Sequence, residues 1–266
     1  MSGPDEMGLT LEAAHGYEQH FVPAIFDQWP PRIIEAARIG RGDSVLEVGC
    51  GTGVLAREVI KLVGPDGGVT GLDLSESMLG VARGICPDVD FRQGNAMDLP
   101  FDDDSFDAAI ASFMLMFVPK PDLAVRELLR VLRPGGRLVI AVWEALDQNP
   151  VYAGLVDIAT RRIDDAAGSS LAWPFALGND GRLAEICHSA GVGDVDISAH
   201  DGRAKFPSLD DFVRTEIQSW VLADSVDEDC LSAVVSESQE RFADYCDAAG
   251  GIDFPLNAVF ARTKKD

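Results

Sequence analysis

Two acids and three glycines are the residues whose types and spacing bear on chemistry. Residues 45–53 read Val-Leu-Glu-Val-Gly-Cys-Gly-Thr-Gly. Glu47 stands two residues before Gly49, and Asp73 stands 20 residues after Gly53. Glycine permits positive φ and lets a ligand approach bare main chain. The helix that follows such a turn points its N–H groups at the ligand. A G-x-G motif alone serves many nucleotide sites, but the flanking residues narrow the choice. A carboxylate beside the turn opposes a pyrophosphate and suits an ammonium. An acid at the end of the next strand is placed to take ribose hydroxyls. The glycines run G-x-G-x-G, and the position three after Gly51 is Val54, where a dinucleotide fingerprint has its third glycine. Acid, glycines and acid describe a ligand with an amino-acid end and a ribose but no phosphate. S-adenosylmethionine is such a ligand; a nicotinamide or flavin site is the bland alternative, and for Asp73 a plain helix cap.

Holding these residues requires a strand–turn–helix unit. An apolar run at 44–48 reads as a buried strand, and Leu55, Val59, Leu62 and Val63 follow at helical spacing up to Gly64-Pro65. A strand at 69–73 leads to Ser75, an N-cap for a helix carrying Met78, Leu79, Val81 and Ala82. Strands are expected at 89–92 and 106–112. Val125, Leu128, Leu129 and Leu132 mark a helix closed by Pro134-Gly135-Gly136, before a strand at 138–143. Upstream, 17–39 is mostly helical and broken by Pro23, Pro30 and Pro31. Beyond Glu144 the rhythm is irregular to residue 180. A helix at 182–190 and an alternating strand around Val195, Ile197 and Ala199 then resume the sheet. Ser208-x-x-Asp211 caps a helix with Phe212, Ile217 and Trp220, Ser225-x-x-Glu228 forms a capping box for the next, and 256–262 is a closing strand. This order predicts an α/β, doubly wound, Rossmann-like fold: a mainly parallel seven-stranded sheet with helices on both faces.

Composition excludes several functions. With 22 basic and 44 acidic residues among 266, the net charge is −22. No run of Lys and Arg offers the basic face that nucleic acid needs, and an anionic membrane surface would repel the chain. The longest apolar run, 108–118, is interrupted by Ser112 and too short to span a bilayer. The start of the chain carries Asp5 and Glu6 without a basic stretch, unlike a secretory signal. Five scattered cysteines without a C-x-x-C pair point to a reduced, cytoplasmic protein with no metal site.

The sequence resembles the class I S-adenosylmethionine-dependent methyltransferases, in particular the small-molecule branch similar to ubiquinone/menaquinone biosynthesis enzymes. The matching stretches are VLEVGCGTG (45–53), VTGLDLSESML (69–79), GNAMDLPFDDDSFDAAIAS (94–112) and LRPGGRLVIAVW (132–143). The resemblance implies that Glu47, Gly49 and Gly51 cradle the methionine end and that Asp73 binds the ribose. It places Leu74 and Met78 on the adenine, Asn95 and Ala96 at the adenine edge, and Ser112 beside the sulfonium. Tyr17 and Phe21 fall in a segment similar to the family's N-terminal lid. One departure stands out: the family usually has Asp where this chain has Asn95, which can donate as well as accept. On this basis residues 1–266 form one methyltransferase domain. Residues 1–40 are its lid, 40–145 its cofactor-binding core, and 145–180 and 204–250 a helical roof over the substrate.

The expected reaction is in-line methyl transfer to a small metabolite. Trp173, Phe175, Phe206, Phe212 and Trp220 in the roof segments suggest an apolar or aromatic acceptor. Phe117, in the run Met114-Leu115-Met116-Phe117, is a substrate wall or core packing, and Trp143 and Trp220 carry the same two readings. Should the acceptor have to lose a proton, His20 is the candidate base. The alternatives are a non-catalytic S-adenosylmethionine-binding module and a peptide methyltransferase. The oligomeric state, a dimer included, is left open.

Overall fold

The computed structural model describes residues 9–179, 181–220 and 226–266, with the side chain of Trp220 excepted. The elements in chain order begin with α1 (Leu11–Gly16), a π-helical segment (Tyr17–Phe26) and α2 (Pro30–Ala37). Then come β1 (Ser44–Val48), α3 (Ala56–Val63), β2 (Gly68–Asp73), α4 (Glu76–Ile85), β3 (Asp90–Gln93), β4 (Phe106–Ser112), α5 (Pro121–Val131) and β5 (Leu132–Trp143). They are followed by α6 (Pro150–Arg162), α7 (Asp165–Ala172), α8 (Arg182–Ser189), β6 (Asp196–His200), β7 (Arg203–Phe206) and α9 (Leu209–Trp220). The chain closes with α10 (Glu228–Arg241), β8 (Ile252–Pro255) and β9 (Ala258–Lys264). They form two units: Met1–Val142 with Gly181–Ser198 and Val259–Asp266, and Trp143–Asp180 with Ala199–Ala258.

The first unit is built on a seven-stranded sheet in the order β3-β2-β1-β4-β5-β9-β6. The pairs β1/β2, β1/β4, β2/β3 and β4/β5 are parallel. Successive strands run outward from β1 to β3, and the chain then returns to β4 on the other side of β1. With right-handed crossovers, that reversal sends the helices after β1 and β2 to one face and the helix after β4 to the other. It also parts the loops after β1 and β4, the place where such sheets hold ligands. Strand β1 is buried along Val45–Val48 and β4 along Ala108–Ala111, as a strand covered on both faces must be.

Three expectations need correction. Pro23 lies inside the π-helical segment and does not break it; the wider turn leaves room where an α-helix would clash. Pro30 and Pro31 start α2, where a missing N–H costs nothing. Pro134-Gly135-Gly136 sits within β5 as an irregularity: Leu132 pairs with Phe106, the chain bulges, and Arg137 resumes opposite Ala108. Gly135 N–H donates to Lys265 O at 2.8 Å, and Lys265 N–H donates to Gly136 O at 2.9 Å, which extends the pairing.

The second unit contains α6, α7, α9, α10 and a two-stranded antiparallel sheet of β7, which enters the stretch 204–250 read as helical, and β8, which lies between that stretch and the expected closing strand at 256–262. Its core is aromatic. Phe212 lies 4.9 Å from Phe254 and 5.2 Å from Phe206, and Tyr152 lies 5.0 Å from Phe175, between ring centroids. Phe175, Phe206 and Phe212, read as acceptor-facing, are thus packed within this cluster, Phe175 on Tyr152 and Phe206 on Phe212. Tyr152 O–H donates to buried Glu216 at 2.6 Å. Asp227 caps α10 by accepting from Cys230 N–H at 2.7 Å; the expected cap Ser225 lies outside the described residues. Ser208 does cap α9, accepting from Asp211 N–H at 3.0 Å.

Candidate functional site

The loop after β1 turns on three glycines with positive φ: Gly49 at 71°, Gly51 at 53° and Gly53 at 83°. The N–H groups of Gly49 and Cys50 both donate to Leu72 O, at 2.7 and 3.1 Å, folding the loop across the end of β2. Two of the glycines are also sterically fixed. A Cβ on Gly49 would lie 2.4 Å from Met114 Cβ, and one on Gly53 would lie 2.8 Å from the Phe91 ring. Met114, expected in a substrate wall or the core, therefore packs on the glycine loop.

Glu47 projects from the end of β1 and is 3% exposed. The Ala56 N–H, first in α3, is one hydrogen-bond partner. Its second carboxylate oxygen has none among the described residues. Burial raises its pKa to about 8; the Ala56 N–H and Arg57 act to lower it, and Asp73 raises it further. Arg57 is itself engaged with Glu18 at 2.8 Å and Asp27 at 3.8 Å. Asp73, at the end of β2, accepts from Gly51 N–H at 2.8 Å and from Ser75 N–H at 2.9 Å. It ties the glycine loop to the start of α4, and burial pushes its pKa up. A carboxylate has about four lone-pair sites, so both oxygens can still accept from a ligand. Tyr17 completes the group. Burial, then the charges of Asp73, Glu18 and Glu47, raise its hydroxyl pKa. Glu47 and the neutral Tyr17 hydroxyl thus line one pocket, with Asp73 behind the glycine loop, and among the described residues no cation is paired with either carboxyl group.

An aromatic cover closes the pocket. Tyr17 lies 5.4 Å from Phe26, Phe26 lies 5.8 Å from Phe113, and Phe113 lies 5.4 Å from Trp29. Phe113 follows β4 with φ 53°, a left-handed conformation unusual for a phenylalanine; its N–H donates to Ala141 O at 2.8 Å. The cavity beneath encloses about 70 Å³ and is lined by Tyr17, Glu47, Gly49, Gly51, Ser112 and Phe113, among others. Sequence reasoning missed Phe26, Trp29 and Phe113. The only signal for Phe113 was its place just after β4, at the strand-order reversal.

The remaining expected residues divide. Leu74 and Met78 are half-buried near the start of α4, on the same carboxyl edge of the sheet. Gly94 N–H donates to Asp73 O at 2.9 Å, which brings the segment of half-buried Asn95 and buried Ala96 beside the end of β2. Asn95 Oδ1 accepts from Met97 N–H at 2.9 Å. Phe21 is buried with its ring 5.8 Å from Tyr17, and Phe117 ends a short 3₁₀ turn; neither lines the cavity. His20 is exposed and does not line it either. Trp143 is buried and belongs to the second unit. Trp220 ends α9, and its side chain lies outside the described residues. Among the described residues, no group of three or more His, Cys, Asp or Glu side chains comes together to hold a metal.

A buried carboxylate oxygen without a partner, beside bare main chain and two further acidic groups, fits a cationic ligand. An ammonium would meet Glu47, and a cation there would offset the repulsion between Glu47 and Asp73 when both are ionised. Comparison with known proteins bears on part of the chain. Residues 46–140 match the family model described as a methyltransferase domain. The ubiquinone/menaquinone biosynthesis C-methyltransferase of Hahella chejuensis is 39% identical over 136 residues, 49% of this chain and 54% of the relative. The demethylmenaquinone methyltransferase of Staphylococcus carnosus is 40% identical over 126 residues, 46% of this chain and 50% of the relative. The chain thus spans about half the length of these relatives. A phosphoethanolamine N-methyltransferase of Haemonchus contortus, solved with S-adenosyl-L-methionine, shares the fold. Its TM-score is 0.61 at 19% identity, over 97% of this chain and 58% of that one.

Proposed function

We propose that the protein transfers the methyl group of S-adenosylmethionine to a small aromatic acceptor of the quinone type. The observation that carries this reading is Glu47, a buried carboxylate with one oxygen unpartnered and a pKa of about 8 at the glycine turn. The matches to ubiquinone/menaquinone and demethylmenaquinone methyltransferases support the acceptor class and methylation at carbon.

The cofactor supplies a methyl group already activated on a sulfonium; the protein's own residues bind, orient and exclude water. Glu47 takes the ammonium, Gly49 and Gly51 offer main chain, and Asp73 receives the ribose hydroxyls. Leu74, Met78, Asn95 and Ala96 flank the adenine, and Ser112 borders the sulfonium. Tyr17, Phe26, Trp29 and Phe113 line the pocket and keep water out. Alignment of nucleophile and methyl group then contributes roughly 7–11 kcal/mol to lowering the barrier. The acceptor carbon gains the methyl, the electron pair stays on sulfur, and the acceptor loses a proton. With His20 turned to solvent, its role as base rests on the lid moving.

A cavity of about 70 Å³ is smaller than the roughly 300–1,000 Å³ of small-molecule sites. We read it as the closed form, with the segment Tyr17–Phe26 withdrawing to admit the cofactor. Phe21 and Phe117 in the first unit are proposed as acceptor contacts there, and residues 145–180 and 204–250, with Trp143 and Trp220, are proposed as a recognition element in their own right. A cytoplasmic location and the absence of a nucleic-acid partner belong to the same proposal; no helix among the described residues is long and apolar enough to cross a membrane. No observation favours the binding-only or peptide readings.

The test is incubation of the full chain with S-adenosylmethionine and hydroquinone acceptors, read by mass spectrometry. The expected result is a gain of one methylene on the acceptor. Tight cofactor binding without turnover on any acceptor would favour the non-catalytic module, and the absence of any melting shift with the cofactor or its demethylated product would overturn the reading.

A further inference from the structure

The larger of the two described cavities, about 410 Å³, opens at the opposite, amino edge of the sheet. It is lined by Arg38, Arg133, Arg137 and Lys264, together with Asp43, Asp107 and the Pro134-Gly135-Gly136 bulge. These cations come from three distant stretches of the chain, so no sequence run announces them. All belong to the first unit. Four cations against two acids leave this cleft net positive on a chain of net charge −22.

Both acids are already satisfied from within. Asp43 accepts from Gly40 N–H and from Arg137, each at 2.8 Å. Asp107 accepts from Ser44 N–H at 2.8 Å and from Arg133 at 2.6 Å. Arg137 also donates to Asp107 O at 3.3 Å and to Arg38 O at 3.1 Å. The side chains of Arg38 and Lys264 have no acceptor among the described residues, and Arg133 uses only one end of its guanidinium. Complementing helix C-termini does not account for this surplus. That role falls to Lys265, whose ammonium meets Arg130 O, Leu132 O and Asp104. Arg38 moreover stands at φ 49°, ψ 47°, a C-terminal helix position that favours glycine. An arginine there accepts strain to place a cation at the rim.

We propose that this cleft binds a small soluble polyanion of the diphosphate class. Guanidinium forks pair with phosphoryl oxygens two at a time, and the cleft's volume lies within the range of small-molecule sites. The unpaired cations Arg38 and Lys264 would provide the contacts that no internal group uses.

The experiment is calorimetric titration of the full chain with inorganic pyrophosphate at fixed ionic strength, alongside the double variant R38Q/K264Q. Neither substitution removes an internal side-chain partner, so the variant is expected to melt with the native chain. The expected result is saturable binding by the native chain, weakened about tenfold or more in the variant. S-adenosylmethionine affinity should be equal in both, which separates this site from the proposed cofactor site. Binding that never saturates, or equal pyrophosphate affinity in the two chains, would overturn the proposal.

Discussion

At the carboxyl edge of the seven-stranded sheet, buried Glu47 lines a small pocket with Tyr17 while Asp73 stands behind the glycine loop, and at the amino edge Arg38, Arg133, Arg137 and Lys264 line an open cleft. The sign at the carboxyl edge follows from the fold. Helices that return between parallel strands present their N-termini at the carboxyl edge and their C-termini at the amino edge. Anionic groups are stabilised at the first; at the second Lys265 takes the complementary cationic role, and the four cleft cations are a surplus beyond it. The Ala56 and Ser75 N–H groups that meet Glu47 and Asp73 are instances of the former. Burial makes the difference between the two edges. Glu47 is dehydrated and its titration moves by several pH units, whereas the amino-edge cations stay solvated. A charge deficit in a dry pocket couples binding to protons and to the fold itself; a surplus in water couples only to salt.

The sharpest way to break that contrast is Gly49→Ala. The new Cβ would meet Met114 at 2.4 Å, on a backbone with φ 71°. Left-handed strain and overpacking together cost about 2–5 kcal/mol. Thermal denaturation should show the loss, with cofactor affinity falling as well. A variant as stable as the native chain would mean the loop is not held by these contacts.

Next in size is Glu47→Gln, expected to weaken S-adenosylmethionine binding about 10- to 100-fold, the worth of a hydrogen bond to a charged group. Its pH dependence carries the sign. The pKa of Glu47 is raised from an ordinary 4.5 to about 8. In the free protein its contribution to stability is full below about pH 4.5 and is lost as pH rises through about 8. A cationic ligand prefers the ionised form, so below pH 8 binding must release a proton. Affinity should climb by up to about tenfold per pH unit and flatten above that value. Calorimetry in buffers of different ionisation enthalpy counts the proton, and E47Q should show a flat profile. A slope that persists in the variant would assign the proton elsewhere.

What the sequence disclosed and what it concealed divides along the same line. Strands β1 and β4 fall at 44–48 and 106–112 as read, because fully buried parallel strands are unbroken apolar runs. The glycine loop, Glu47, Asp73 and the Ser75 cap are local patterns and were legible for that reason. The aromatic cover was not, since Phe26, Trp29 and Phe113 meet only through tertiary packing. The strands β7 and β8 pair across about 50 residues, beyond the reach of short-range pattern. The amino-edge cleft escaped notice for a further reason: overall acidity argued against any basic site, and composition averages over the surface.

A substitution at the amino edge tests whether the two regions are independent. Arg137 binds Asp43, Asp107 O and Arg38 O, with its side chain 22% exposed. Arg137→Gln should lower stability by ~1 kcal/mol, as for a partly exposed pair. Urea denaturation measures that cost. Cofactor affinity should not change; a drop of tenfold would show that the edges communicate through β1.

The smallest effect is expected at Asn95, and it tests how finely the carboxyl edge reads its ligand. The Met97 N–H donates to Oδ1 at 2.9 Å, which fixes the amide's orientation. With Oδ1 held by Met97, the group expected to face a ligand is the NH₂, a donor, where the family that the sequence resembles usually has a carboxylate. An adenine amino group is also a donor, so the pairing is mismatched; a 6-oxo base would present an acceptor. Asn95→Asp keeps an oxygen for Met97 and turns the outer group into an acceptor. The variant should bind S-adenosylmethionine a few-fold more tightly, about 0.5–1 kcal/mol, and the 6-oxo analogue more weakly. Added negative charge alone would strengthen both cationic ligands together. Opposite responses to the two bases would therefore come from hydrogen-bond direction, and a parallel response would show that Asn95 does not touch the base.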